Sequence, residues 1–429
     1  MSTEPGRAAS ERREPRVALV HDWLTGMRGG EKVLEVICDL YPDAPLYTLV
    51  HARGNVSEKI EGHRVRTSFV QRLPAARRHY RQFLPLFPAA VELFDLDAFD
   101  LVISTSHCAV KSVVRPGRAV HVSYCHSPMR YAWDQFGAYF GPAQVGAARS
   151  RLLRPVMAAL ARWDRTTAGR VDSFVANSRY VADRIRRYYN RESTVVYPPV
   201  DTAFYRPDDD ARHPRSGFLA VSALVPYKRL DIAIDACRRL GTPLTIVGTG
   251  PEQARLQALA GPDVTFLGWL SNEDIRELYR QSAATLLPGV EDFGMVPVEA
   301  QACGCPVVAL GDGGAAETVV DGRTGVLVVD PSIEAFADGL NRVRALAFDE
   351  MALREHALGF SRERFVTGFQ AAVDDATARR TLTTPPSGRE NAAVAARRTL
   401  PPQQADREDA AVAARRTQAP QPADREDKQ

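Results

Sequence analysis

The sequence predicts an α/β protein with two doubly wound domains that face each other across a cleft. Short apolar runs alternate with helical patterns twice along the chain, which is typical of parallel sheets covered by helices. A polar stretch rich in proline and aspartate, 206–217, separates the two series and suits a linker between domains. The chain has 429 residues, of which 45% are hydrophobic and 25% charged, so its length and composition fit two globular domains.

The first domain is predicted over residues 15–205, after a disordered N-terminus at 1–14. Its first strand, at 17–20, leads through a glycine-containing loop into a helix from about Glu31, whose apolar residues recur at helical spacing. Helical patterns separate the strands that follow, which we predict at 101–103, 120–122, 174–176 and 195–196.

The second domain is predicted over residues 206–359. Helical patterns again separate its six apolar runs, which lie at 218–221, 244–247, 264–266, 284–287, 307–310 and 326–329. In doubly wound sheets, ligands bind at the carboxyl ends of the strands. Two such Rossmann-like domains facing each other therefore place the active site in the cleft between them.

Residues 380–429 are predicted to be a disordered, repetitive tail. Within it, RENAAVAARRT at 389–399 recurs as REDAAVAARRT at 407–417, and a third copy begins at Arg425. The copies contain almost no large apolar residues, so they cannot bury a core. The alternative, a weak partner-binding or oligomerisation element, stays open.

Charge, hydropathy and cysteine usage exclude several classes of protein. A net charge of +3 indicates no general attraction to nucleic acid. The chain has no run of eighteen apolar residues and no apolar core in its polar N-terminus, so neither a transmembrane helix nor a secretory signal is predicted. Cys303 and Cys305 have no second pair to complete a zinc site. We therefore expect free thiols in a reducing cytoplasm, and no metal.

The most informative stretch is 284–309, which is typical of a strand, a tight loop, a helix and a strand. Glu291 and Glu299 flank the loop-to-helix turn, and the helix should begin near Val296 with Pro297 in its first turn, where a missing N–H costs nothing. Unpaired N–H groups and a partial positive charge at a helix start suit an anion such as a diphosphate. Carboxylates beside such a site are explained if they bind hydroxyls of a sugar or a ribose.

Two glutamates eight residues apart in this setting form the E-x7-E signature of retaining glycosyltransferases with the GT-B fold. The run 291–309, EDFGMVPVEAQACGCPVVA, resembles members of family four, and the resemblance extends over roughly residues 15–375. It implies a nucleotide-sugar donor as co-substrate, transfer with retention of anomeric configuration, no further cofactor and no metal. It also implies that a last helix, predicted at 360–379, crosses back to the first domain.

Lys228 is the predicted cation for the donor diphosphate. It follows the second domain's first strand in VSALVPYKRLD, at a helix start, where a phosphate-contacting cation is expected. The resembling enzymes usually carry an arginine five or six residues earlier, where this chain has Ala223 and Ser222. The second phosphate cation is therefore unassigned, with Arg229 as a candidate substitute. The alternative for Lys228 is a solvated lysine.

Glycines after two other strands are further candidates. Gly29 and Gly30 allow the backbone to approach a ligand closely, and the resemblance places their loop over the donor phosphates or near the acceptor; a plain strand-to-helix turn is the alternative. The residues after Gly248 do not complete a G-x-G-x-x-G motif, which argues against an NAD-binding domain. By resemblance, the Gly248 loop and the turn that contains Trp269 and Leu270 frame the nucleotide base.

The resemblance also assigns the residues around the reacting sugar. His126, in SYCHSPMRYAWD, is expected to hydrogen-bond and stabilise charge near the reacting centre rather than act as a general base; a core or loop-capping histidine is the alternative. Glu291 should bind hydroxyls of the transferred sugar and Glu299 the ribose, so they are not the acid/base couple of a glycosidase. The distal phosphate should be bound by three peptide N–H groups, those of Phe293, Gly294 and Met295.

The motif HSPMRYAWD is similar to mannosyltransferase-like enzymes of polysaccharide and glycolipid pathways. We therefore expect transfer of a hexose, mannose from GDP-mannose, to a glycan or lipid-linked acceptor, with UDP- and dTDP-sugars still open. Two rival functions remain: a sugar-nucleotide epimerase on the same scaffold, and a catalytically silent glycan-binding or regulatory subunit.

A basic and aromatic segment, 64–87, bears on the acceptor and on location. Arginines mixed with aromatic and aliphatic residues suit an anionic membrane surface, where a polyprenyl-linked acceptor would lie. The alternative is an amphipathic helix packed on its own domain with its arginines in solvent. We expect a cytoplasmic protein that is peripheral to the inner face of the plasma membrane if the segment docks.

Overall fold

The computed structural model describes residues 14–208 and 214–383. Apart from Glu14, the N-terminus that we expected to be disordered lies outside these residues, as do the repeat copies of the tail. Residues 14–377 belong to one compact unit, which contains two parallel sheets. A second unit begins at Ala378, and only the end of the last helix is described in it.

The first sheet belongs to the N-terminal lobe. Its strands are β1 Val17–His21, β2 Leu46–Thr48, β3 Val65–Thr67, β4 Leu101–Ser106, β5 Val120–Cys125, β6 Ser173–Ala176 and β7 Ser193–Val195. The α-helices of this lobe are α1 Gly29–Leu40, α2 Glu58–Glu61, α3 Ala76–His79, α4 Phe87–Glu92, α5 Arg130–Trp133, α6 Phe136–Phe140, α7 Pro142–Val145, α8 Ala147–Thr167 and α9 Arg179–Tyr189. The strand order is β3-β2-β1-β4-β5-β6-β7, so the order reverses between β1 and β4.

The second sheet belongs to the C-terminal lobe. Its strands are β8 Phe218–Val221, β9 Leu244–Val247, β10 Val264–Gly268, β11 Ala284–Leu287, β12 Val307–Leu310 and β13 Gly325–Val328. The helices that follow β8 are α10 Leu230–Arg239, α11 Gln253–Leu259, α12 Asn272–Gln281, α13 Met295–Ala302, α14 Ala315–Thr318, α15 Ile333–Ala345, α16 Glu350–Leu358 and α17 Arg362–Thr383. The order β10-β9-β8-β11-β12-β13 reverses between β8 and β11.

The predicted class, two doubly wound α/β domains, is confirmed. The strand pairs of both sheets are parallel. In each sheet the first strand in sequence, β1 or β8, is hydrogen-bonded to a parallel strand on either side. β4 and β5 are buried along their whole length, as expected of central strands covered by helices on both faces. The sequence prediction missed β2 and β3, which have three residues each and too little apolar pattern to stand out.

Serine caps fix the start of three helices. The hydroxyl oxygens of Ser178, Ser271 and Ser332 accept hydrogen bonds from backbone N–H groups in the first turns of α9, α12 and α15. Each cap satisfies a donor that would otherwise be unpaired at the helix end.

The last helix, α17, packs on the first sheet although it follows the second in sequence. Phe365 and Phe369 are buried, and their rings lie 5.6 and 6.1 Å from the ring of Tyr124 on β5. Residues 380–383, which we expected in the tail, belong to this helix. The N-terminal core is thus completed by residues from the far end of the described chain.

Candidate active site

A cleft of about 460 Å³ lies between the two lobes, where the strand order reverses in each sheet. Residues after β1, β4 and β5 line one side, and residues after β8 and β11 line the other. The structure therefore places the cleft at the carboxyl ends of the strands, where doubly wound sheets bind ligands. Eight predicted site residues line it together: Gly29, Gly30, His126, Lys228, Glu291, Phe293, Gly294 and Met295.

The loop before α13 brings peptide groups to the cleft. The helix begins at Met295, one residue before the predicted start, and Gly294 precedes it with φ at 81°, a conformation that favours glycine. The N–H of Gly314 donates to the carbonyl oxygen of Glu291 at 2.7 Å and holds the loop. Because Met295 lines the cleft, the unpaired N–H groups of this first helical turn are available there.

The start of α1 approaches the start of α13 from the opposite lobe. A Cβ added to Gly29 would lie 3.3 Å from Sδ of Met295, and one added to Gly30 would lie 3.6 Å from Nε2 of His126. The backbone at these two glycines thus lies within side-chain contact distance of Met295 and His126. Two helix N-termini at one cleft concentrate partial positive charge, which suits an anion.

Two cations share the ring of Tyr227 inside the cleft. Nζ of Lys228 lies 5.2 Å from the ring centroid, and the guanidinium carbon of Arg130 lies 5.3 Å from it. Burial, reinforced by the Arg130 charge, lowers the pKa of Lys228 to about 7. The charge of the Asp292 carboxylate opposes this lowering of the pKa and favours the ammonium form, and the Glu291 carboxylate pairs with the ammonium directly. The cleft thus holds a cationic pair that an anionic ligand would stabilise.

Asp292 connects the lobes behind these cations. Its carboxylate pairs with Arg130 and, at 3.0 Å, with Arg184, and both arginines come from the N-terminal lobe. Its carbonyl oxygen accepts a hydrogen bond of 2.5 Å from the hydroxyl of Ser178. Arg184 also pairs with Asp134 at 2.7 Å. Arg130 is therefore held at the cleft by a residue of the opposite lobe.

Two further carboxylates of the C-terminal lobe contact the N-terminal lobe. The Glu317 carboxylate accepts hydrogen bonds of 2.9 Å from the backbone N–H groups of Arg179 and Tyr180, at the start of α9. The Glu299 carboxylate pairs with the Lys32 ammonium at 2.8 Å. These contacts hold the lobes together across the cleft.

Two histidines in the cleft are neutral. Burial lowers the pKa of His126 well below its usual value, and the neighbouring His107 and His21 act in the same direction. Nε2 of His126 is buried and has no hydrogen-bond partner within the described chain. Burial also lowers the pKa of His107 to about 3, although Nδ1 lies 3.3 Å from the Asp22 carboxylate. Hydrogen bonding is therefore the chemistry that His126 offers.

Five predicted site residues lie outside this cleft. Arg229 pairs with Asp231, and the side chain of Trp269 is largely exposed. Glu299 is buried and also accepts a hydrogen bond of 3.3 Å from the hydroxyl of Tyr279. The other two are Gly248, whose φ is 131°, and Leu270, which packs against the core of the second lobe.

Sequence reasoning missed several side chains that line the cleft: Arg28, Arg81, His107, Arg130 and Tyr227. Arg130 stands four residues after His126, inside a motif that we had singled out. Arg130 could not be distinguished in the sequence, because fifty of the 55 basic residues are arginine and no single one stands out.

The segment 64–87 is mostly packed on its own lobe. Tyr80, Leu84 and Phe87 are buried in the N-terminal core, whereas Phe69 and Leu86 remain exposed. The segment is not one amphipathic helix, because short helices and 3-10 turns divide it.

No helix in residues 14–208 and 214–383 is both long and apolar enough to span a membrane. Over the same ranges, no three histidine, cysteine or acidic side chains cluster in a way that could hold a metal ion. All six cysteines are buried and unpaired, as predicted.

Comparison with known proteins identifies the family of both lobes. The sequence model described as Glycosyltransferase Family 4 matches residues 27–204, and that described as Glycosyl transferases group 1 matches residues 201–359. The D-inositol 3-phosphate glycosyltransferase of Mycobacteroides abscessus is 31% identical over 341 residues, which cover 68% of this chain and 76% of that protein. The enzyme of the same name from Acidothermus cellulolyticus is 34% identical over 249 residues, covering 50% of this chain and 55% of that protein.

Solved structures show the same fold. Sucrose-phosphate synthase from Thermosynechococcus elongatus superposes with a TM-score of 0.62 at 19% identity, covering 86% of this chain and 99% of that one. Anabaena HepE in complex with UDP superposes with a TM-score of 0.61 at 20% identity, covering 84% and 100%. The chain therefore belongs to glycosyltransferase family four, the retaining group 1 enzymes with the GT-B fold that use nucleotide-sugar donors.

Proposed function

We propose that this enzyme transfers mannose from GDP-mannose to a glycan or lipid-linked acceptor, in the synthesis of a cell-surface polysaccharide or glycolipid. Lys228, Arg130 and two helix starts meet at one cleft. This observation supports a donor whose sugar is linked to a diphosphate. Positive charge on both sides of a cleft stabilises the leaving diphosphate, and such electrostatic terms are commonly the largest in catalysis.

We assign each part of the donor to particular residues. Lys228 and the peptide N–H groups of the α13 start bind the phosphates, and Glu291 binds hydroxyls of the sugar. His126 donates or accepts a hydrogen bond near the reacting carbon, and Gly29 and Gly30 let the backbone approach the donor. Glu299 binds the ribose. The base lies near the remaining three predicted residues: Gly248, Trp269 and Leu270.

In the proposed reaction, one bond at the anomeric carbon breaks and another forms on the same face of the sugar ring. The bond between the anomeric carbon and the diphosphate oxygen breaks, and a bond to the acceptor oxygen forms. The acceptor's hydroxyl proton passes to the leaving phosphate oxygen, so the products are a glycoside and a nucleoside diphosphate. Closure of the lobes would exclude water during this step.

A screen of nucleotide sugars by thermal unfolding tests the donor. A ligand present at a hundred times its dissociation constant stabilises the folded state by about 2.7 kcal/mol. We expect GDP-mannose to raise the melting temperature more than UDP- or dTDP-sugars do. UDP-glucose is the rival donor, because Anabaena HepE, which shares the fold, was solved with it. A larger shift with UDP-glucose would replace our donor assignment.

Product analysis separates transfer from the rival functions. A transferase consumes the donor faster when the acceptor is present, an epimerase converts it without any acceptor, and a silent subunit leaves it intact. Consumption of GDP-mannose that is independent of acceptor would contradict the proposal.

Arg130 is our proposed second phosphate cation, in place of Arg229. Replacing Arg130 with glutamine should weaken nucleoside diphosphate binding by about 10-fold to 100-fold, the loss expected when a charged hydrogen bond is removed. The nucleoside monophosphate should lose less. Calorimetric titration of both nucleotides measures the difference.

The matched control is Arg184→Gln, because Arg184 also pairs with Asp292 but does not line the cleft. We expect nearly unchanged nucleotide affinity in this variant. An equal loss in both variants would mean that Arg130 acts only by holding Asp292, and the assignment would be withdrawn.

We also propose a cytoplasmic location with peripheral attachment to the inner face of the plasma membrane. The exposed Phe69 and Leu86, next to arginines of segment 64–87, support it. Failure of anionic liposomes to sediment the protein at low salt would exclude docking.

A further inference from the structure

A second cavity, which we call the arginine pocket, opens beside the donor cleft. Its volume is about 480 Å³, and its lining is strongly basic. Arg28 and Arg81 line both this pocket and the donor cleft, so the two spaces are adjacent. The charged and long polar side chains that line the pocket are Arg28, Arg77, Arg78, His79, Arg81 and Gln82.

The charge in this pocket is not neutralised by the protein. Among the residues that the structure describes, no aspartate or glutamate lines it. Within the described part of the chain, none of its four guanidinium groups forms an ion pair with a carboxylate, whereas Arg130 and Arg184 nearby are both paired. Like charges on one concave surface repel each other, and a bound anion would relieve that repulsion.

The backbone turns sharply just before the segment that carries most of these exposed arginines. Ala75, just before α3, has φ at 53°, a left-handed conformation that is uncommon for alanine and that turns the chain into this short helix. Tyr80 follows directly and is buried, with its ring 4.8 Å from that of Trp23. Trp23 lines the donor cleft, so one packed pair connects the two spaces.

We propose that the arginine pocket binds a phosphate or diphosphate group carried by the acceptor. This assignment rests on the proposed transferase function, since the group must sit beside the donor sugar. The planar guanidinium forks of arginine match phosphate oxygens in pairs, which favours phosphate over an uncharged sugar. A concave pocket also favours one compact anion over the plane of a membrane. The acceptor is therefore a phosphorylated sugar or a sugar linked to a lipid through a diphosphate.

The test uses inorganic pyrophosphate as the soluble probe, with the donor site filled first by GDP or UDP. Calorimetry on the full chain should detect pyrophosphate binding, and the double substitution Arg77→Gln with Arg78→Gln should weaken it by about tenfold or more. The matched control is Arg149→Gln with Arg151→Gln, which removes the same charge from the exposed face of α8. Pyrophosphate affinity should stay within about twofold in this control.

A binding measurement with lipid vesicles distinguishes a lipid-linked acceptor from a soluble phosphorylated sugar. Phosphatidylcholine vesicles carry either farnesyl diphosphate or phosphatidylglycerol at equal surface charge. A preference for farnesyl diphosphate that is lost on replacing Arg77 and Arg78 supports a lipid-linked acceptor. Pyrophosphate binding without that preference supports a soluble phosphorylated acceptor.

Three results would overturn the proposal. The first is that the unaltered chain does not bind pyrophosphate, and the second is that both double variants lose pyrophosphate affinity equally. The third is that the protein binds both kinds of vesicle equally and that this binding falls equally in both double variants. Nucleotide binding is measured first on each sample. Its absence in the unaltered chain would refute the donor site, whereas loss of pyrophosphate binding alone removes only the acceptor assignment.

Discussion

Replacing Lys228 with alanine should lower the rate of sugar transfer by about 100-fold to 1,000-fold, the loss typical of removing one well-placed donor to developing negative charge. The ammonium lies in the cleft between Glu291 and the Tyr227 ring. As the sugar leaves, negative charge grows on the diphosphate, and Lys228 is the one lysine among the described residues that line the cleft. The effect should fall mainly on transfer, because the side chain makes few contacts elsewhere.

Glu291→Ala is the companion variant, and it should lower the rate of transfer to a similar extent because the sugar loses its carboxylate partner. The control is Arg238→Ala, an exposed arginine on α10 that pairs with Asp235 and donates to the carbonyl oxygen of Leu259 at 3.4 Å, away from the cleft. Steady-state transfer and thermal unfolding are measured on all three variants. Native-like melting with loss of transfer is expected for the two cleft variants, and retained turnover in both would refute the site.

Replacing Lys111 with methionine should lower the free energy of unfolding by about 3–5 kcal/mol, the cost of leaving a buried charge without its partner. Lys111 and Asp164 are almost wholly buried, with Nζ 2.9 Å from Oδ1 of the carboxylate. The other oxygen of Asp164 accepts hydrogen bonds from Trp133 Nε1 at 2.7 Å and from the Tyr189 hydroxyl at 2.8 Å. One carboxylate therefore joins α5, α8 and α9, and α5 begins at Arg130.

Chemical denaturation measures this loss, and two further variants interpret it. The double variant Lys111→Met with Asp164→Asn should recover much of the stability, because a neutral amide then replaces the buried carboxylate. Lys59→Met removes a half-exposed partner of Asp39 and should cost at most about 1 kcal/mol, as surface pairs do. A similar small loss for Lys111→Met, or no recovery in the double variant, would show that the buried pair is not what holds these helices.

Much of the fold could be predicted because its signals are local. Each predicted strand is present, and the predicted start of α13 differs from the structure by one residue. β2 and β3 were not predicted, and they are recognised as strands by their pairing, β2 with β1 and β3 with β2. Their backbone groups are satisfied by neighbours that are distant in sequence.

A residue's place at the cleft could be predicted where it follows from the residue's own segment. Lys228 at a strand end and Glu291 before a helix belong to such segments, and both line the cleft. Arg130 could not be found in this way, since its place depends on Asp292, 162 residues away in the other lobe. Trp269, which was expected near the base, is 80% exposed and lies outside the cleft.

By itself, the sequence determined the two parallel sheets, the family and the edge of each sheet that faces the cleft, because periodicity and short motifs are properties of neighbouring residues. Only the tertiary structure decided which charged side chains lie close to one another. Arg130 and Lys228 converge on one ring, Lys32 pairs with Glu299, and the arginines around Arg81 are left without carboxylates. The physical reason is that charges act through space, so their partners are set by how the lobes pack and not by distance along the chain.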